Sequence, residues 1–173
     1  MALLDCLPIA SDSQRHASLW DLGVRNSIGL HVDSVTFHQN NIFEFARDAR
    51  DASGAVLAVV FMAPDDLGDP SDLAAWEPET GRLALWLGRV SMLGQANLYG
   101  WRVAEPLIVH ETALDWLQAG REGVFVIDAQ RASPLLRMAE PLGVKRQEFG
   151  RQLQADLSIR APRIVVASQR RAA

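Results

Sequence analysis

At 173 residues the chain has the length of one domain, and an apolar fraction of 49% suits a self-sufficient core rather than a disordered segment. No apolar run approaches the roughly 20 residues needed to cross a bilayer. The start, MALLDCLPIA, carries no basic leader, and the single Cys6 cannot make an internal disulfide, so a cytoplasmic protein with no membrane association is expected. The formal charge of −4 is unevenly spread: Asp48 to Glu79 sets eight acids against Arg50, a net of −7, while Val144 to Ala173 sets seven bases against Glu148 and Asp156, a net of +5. Such a split reads either as solvated surface on two halves of one molecule or as faces for a charged partner.

In chain order, residues 1–33 show weak periodicity and are expected to be irregular, with a single helical turn over Ser18 to Leu22. Ile42 to Ala46 and Ala55 to Met62 (AVLAVVFM) read as the two arms of a β-hairpin with a long loop. Ala63 to Pro70 (APDDLGDP) is turn chemistry, and Leu73–Trp76 and Leu83–Leu87, joined by EPETGR, form a second hairpin. Strands linked this tightly pair antiparallel. Val90 to Leu93 suggests a short helix ended by Gly94.

The pattern changes at Glu105. Pro106 to Val109 is a buried strand closing on His110 and Glu111, and Thr112 is a natural N-cap with Asp115 three residues on. Leu114 and Leu117 face inward, Gly120 stops the helix, and Gly123 to Ile127 is a second apolar strand ending at Asp128. Ser133-Pro134 reads as the N-cap and first position of another helix, running until Pro141. Lys145 to Leu157 is a third helix with Phe149, Leu153 and Leu157 on one face, and Arg163 to Ala167 is a last strand. The expected fold is therefore α+β or α/β: N-terminal antiparallel β-hairpins over residues 41–103, then a small β-α-β-α-α-β unit over 105–168 with parallel strand pairing. Residues 169–173 form a basic tail, and the whole is one domain.

Parallel pairing places strand ends on one rim, where open α/β sheets keep their sites. His110, Glu111, Asp128 and Ser168 all follow strand ends. Paired carboxylates near a histidine hold Mg²⁺ through oxygen or divide general acid and base roles. His110, Glu111 and Asp128 are thus the catalytic candidates, with Glu111 and Asp128 the metal candidates. The same residues also suit structural tasks, since Glu111 precedes an N-cap and Asp128 can cap a turn. Lys145, Arg146, Arg151, Arg160 and Arg163 are candidates for phosphate or nucleic-acid contact. Trp101, in NLYGWR, is a candidate anchor for a protein partner, whereas Trp76, Trp86 and Trp116 read as core.

Val109-His110-Glu111-Thr112 followed by Ile127-Asp128-Ala129-Gln130 resembles the Toprim domains of primases and topoisomerases, in which one strand ends in Glu-Gly and a later one in Asp-x-Asp. The chain departs where Thr112 replaces Gly, where Gln130 replaces the second Asp, and where Asp128 ends the very next strand. The resemblance spans about 25 residues and implies a degenerate or non-catalytic relative of that fold. No GxGxxG, GxxxxGK[ST] or GxSxG is present, so dinucleotide binding, a Walker A loop and a nucleophile elbow have no carrier. The leading expectation is a non-catalytic accessory domain that binds a protein or nucleic-acid partner through charged surfaces and needs no cofactor. The competing one is a Mg²⁺-dependent nucleic-acid-processing enzyme.

Overall fold

A computed structural model describes residues 19–48, 53–100 and 105–158. The expected strand at Arg163 to Ala167, Trp101, Arg160 and Arg163 lie outside these residues.

Five antiparallel strands form the first sheet: β1 (Leu30–Phe37), β2 (Phe43–Phe45), β3 (Val56–Pro64), β4 (Pro70–Trp76) and β5 (Leu83–Leu85), in the order β2-β1-β3-β4-β5. The sheet curls until its outer strands meet, Ile42 bridging Leu85 while the Leu85 amide donates to the Asn41 carbonyl. Inside the curl, Val35, Phe43, Phe45, Val60, Leu73 and Ala84 make one core. Val59 and Phe61, on the opposite face of β3, join Leu30, Trp76, Leu93 and Trp116 in a second core. That double burial explains why AVLAVVFM has no polar interruption, and each large side chain so buried contributes on the order of 1.5–3 kcal/mol. The β3–β4 turn is held by Asp65, whose carboxylate accepts from the Leu67 and Asp69 amides, as the Asp/Gly-rich sequence requires.

The second sheet is mixed, in the order β6-β8-β7-β9, with β6 (Met92–Leu93), β7 (Leu107–His110), β8 (Val124–Val126) and β9 (Leu142–Gly143). Its helices are α1 (Asn97–Gly100), α2 (Ala113–Gln118), α3 (Ala129–Met138) and α4 (Gln147–Leu157). β7 and β8 run parallel, Val109 beside Val124, as the sequence predicts. Leu107, Val109, Val124, Leu136 and Leu153 pack between this sheet and α3 and α4.

Five local expectations are corrected. The stretch expected to be irregular contains the start of β1, a central strand; most of its residues are only half-buried, which blurs the alternation. β2 pairs with β1 rather than β3, so the first hairpin is β1–β2. Residues 92–93 form a strand antiparallel to β8, not a helix, with Gly94 at φ 76° ending it. The helix expected to start at Ser133-Pro134 starts at Ala129, leaving Pro134 inside. Asp128 supplies a stronger cap one turn earlier, and the Ser133 hydroxyl instead donates to the Leu157 carbonyl at 3.2 Å, tying α3 to α4. Finally, the two-residue β9, parallel to β7, separates α3 from α4.

Candidate functional site

The rim begins at His110, the last residue of β7, which is 5% exposed. Its Nε2 lies 2.9 Å from the Glu122 carbonyl oxygen. A carbonyl only accepts, so Nε2 carries the proton and Nδ1 is left as a bare acceptor, with no hydrogen-bond partner among the described residues. Burial, and after it the charge of Lys145, lowers the imidazole pKa below its ordinary value, against the Glu122 carbonyl and Asp115, which raise it. His110 is therefore neutral near neutral pH. Gly123 (φ 71°) opens β8 and must be glycine, because a Cβ there would collide with the Ile108 carbonyl and crowd the His110 ring.

Beyond His110 the predicted cap forms. The Thr112 hydroxyl accepts from the Asp115 amide at 3.0 Å and donates to the Asp115 carboxylate at 2.6 Å. Glu111 reaches across to Arg146, Oε1 lying 3.1 Å from its guanidinium. Arg146 is also the N-cap residue of α4, where its side chain makes no capping hydrogen bond. The first-turn amides of α4 thus have no side-chain acceptor at the cap, and Lys145 and Arg146 stand exposed at their entrance. His110, Glu111, Thr112, Lys145, Arg146 and Phe149 line a pocket of about 220 Å³ at this junction.

Asp128 is occupied differently. Its Oδ1 accepts from the Gln130 and Arg131 amides at 3.0 and 3.1 Å, so it is the N-cap of α3. It lines a separate cleft of about 700 Å³ between the β2–β5 seam and α3, with Asn41, Leu85 and Arg131. Among the described residues no group of three or more His, Cys, Asp or Glu side chains is placed to hold a metal ion. The geometry brings His110, Glu111, Lys145 and Arg146 together and sends Asp128 to another cavity. Arg151 is exposed on α4, half a helix away from the entrance. Trp76 and Trp116 are buried, and Trp86 packs edge-on against Phe45 at 6.4 Å.

Sequence reasoning counted Asp72 and Glu77 with the surface acids, yet both are buried. Asp72 is fully buried: Oδ1 accepts from the Leu73 and Leu87 amides, each at 2.8 Å, and Oδ2 from the Arg89 amide at 2.6 Å. Arg131 grips the same loop, donating to the Gly88 and Arg89 carbonyls at 2.8 and 2.6 Å. Nothing local marks Asp72 or Arg131 as holding this loop, because the loop groups they bind lie 15 or more positions away.

No family model, no curated protein and no solved structure matches the chain.

Proposed function

We propose that the chain is a non-catalytic interaction domain whose partner is a nucleic acid, met through its phosphates by Lys145, Arg146 and Arg151. The observation that carries this reading is the entrance of α4. The partial positive charge of a helix N-terminus without a capping side chain, though with Glu148 in its first turn, coincides there with exposed Lys145 and with Arg146, which is paired to Glu111. The two carboxylates that would serve an enzyme are engaged elsewhere, Glu111 with Arg146 and Asp128 with the first turn of α3. This employment favours binding over metal-assisted phosphoryl transfer, which needs both carboxylates turned to one ion.

Gel retardation of duplex and single-stranded DNA and of RNA, from 50 to 200 mM salt, tests the reading. Three phosphate contacts on duplex DNA predict a slope near −2.7 in log K against log salt, a loss of about 40-fold over that range. Replacing both Lys145 and Arg146 with Ala should flatten the slope by about 2. Absence of binding at 50 mM, or a slope unchanged in the double variant, refutes it. A melting temperature that rises with Mg²⁺ and stops rising in Glu111→Gln would favour the enzyme instead.

A further inference from the structure

β8 and β9 lie on either side of β7, and all three strands run parallel. The chain leaving β7 enters α2, whose Trp116 and Leu117 pack with Phe125 on one face of the sheet. The chain leaving β9 enters α4, whose Leu153 packs with Leu107 and Val109 on the other face. Neighbouring parallel strands whose connections part in this way leave a crevice between their carboxyl ends, and there open α/β sheets hold small ligands. In this chain the crevice is the pocket of about 220 Å³ between Glu111-Thr112 and Lys145-Arg146. We propose that it binds the protonated phosphate group of a phosphomonoester. His110 Nδ1 accepts the hydrogen of that group, and Lys145 with the N–H groups at the start of α4 holds its other oxygens.

Three observations select this ligand. His110 stands between the crevice and a second cavity and lines both. Its Nε2 is turned to Glu122, which lines the second cavity and not the crevice. The two nitrogens of an imidazole point in nearly opposite directions, so Nδ1 is turned away from Glu122 and toward the crevice. Nδ1 is buried and has no partner among the described residues, and the acceptor nitrogen of a neutral ring calls for a hydrogen donor.

The second observation is charge. The four charged side chains of the crevice, Glu111, Asp115, Lys145 and Arg146, cancel one another, so a highly charged ligand gains little and hydrogen bonding decides. A phosphate monoanion offers both kinds of group, one O–H to donate and further oxygens to accept from α4, an eleven-residue helix without a capping side chain. The third observation is the remaining wall. Val109 and Phe149 make it apolar, which suits the carbon group of an ester. A free metabolite and the 5′ end of a nucleic-acid strand both present this chemistry, and only the second source rests on the nucleic-acid reading above.

The test titrates the full chain with inorganic phosphate and with sulfate at pH 7 and constant ionic strength, following the amide signals of His110, Gln147 and Glu148 by NMR. Sulfate has the shape of phosphate but no proton to give, so a single hydrogen bond separates them and phosphate should bind about tenfold more tightly. Gln in place of His110 keeps a donor for the Glu122 carbonyl but no acceptor at the Nδ1 position. In His110→Gln the preference should therefore disappear, while Lys145→Ala should weaken both anions and preserve it. Sulfate binding as tightly as phosphate, no saturable shift of these amides, or a preference that survives in folded His110→Gln overturns the proposal. The source is read by comparing a short single strand bearing a 5′-phosphate with its 5′-hydroxyl form and with phenyl phosphate. A gain of about tenfold from the 5′-phosphate assigns the crevice to a strand end. Tighter phenyl phosphate without that gain assigns it to a free metabolite. A chain that retards no nucleic acid still reports its preference for phosphate over sulfate, so the two readings fail separately.

Discussion

Replacing Asp128 separates a cap from a metal ligand. Its Oδ1 accepts two amide hydrogens, from Gln130 and Arg131, at the start of a ten-residue helix. Removing an N-cap acceptor costs about 1 kcal/mol, and up to about 2 where the helix is well docked. α3 is so docked, through buried Ala132 and Leu136, which places Asp128→Ala at the upper end. For a chain of this size that is a fall of about 4–8 °C in melting temperature. Asparagine caps as well as aspartate, so Asp128→Asn should lose no more than a few tenths of a kcal/mol. Urea unfolding followed by tryptophan fluorescence reads both values, and an unchanged m-value shows that the same surface is exposed in each variant. If Asn costs as much as Ala, the charge rather than the acceptor is what matters. Together with a Mg²⁺-dependent rise in the wild-type midpoint, that result would refute the capping account.

Three further outcomes follow from the same geometry. Asp72→Ala strips the acceptor from three buried or half-buried amides and should cost about 3 kcal/mol or more, read as a shift of the urea midpoint; a loss under 1 kcal/mol would contradict it. Because burial lowers the folded pKa of His110, its contribution to stability is fully present above the unfolded value of 6.5 and is lost as pH falls from there through the folded value. An NMR titration should place its midpoint below 6.5, and His110→Gln should remove that part of the acid slope; a midpoint at or above 6.5 would contradict it. Gly123→Ala, strained by φ and by the Ile108 carbonyl, should destabilise by about 3 kcal/mol or prevent folding, and circular dichroism on heating checks this.

The elements that were legible in the sequence carry their own boundaries. β7, α2 and β8 are apolar runs fenced by Thr112, Gly120 and Gly123, and their parallel pairing followed from the short helix between them. What escaped depends on distant partners. β1 is half-buried along most of its length, so its alternation is faint. β6 and β9 are two residues each and exist as strands only through β8 and β7. At α3 two local signals competed, and Asp128 as cap prevailed over Pro134 as first residue. The candidate site was half legible: strand ends gave His110 and Glu111 their place, but the approach of Arg146 to Glu111 required β9, which no local pattern announces.

The peptide segment from Leu87 to Arg89 is held from two directions at once. An acid rooted in β4 takes two of its amide hydrogens, and a base rooted in α3 takes two of its carbonyls. A hinge between the curled sheet and the mixed one is thereby denied its slack. The two layers should melt in a single step.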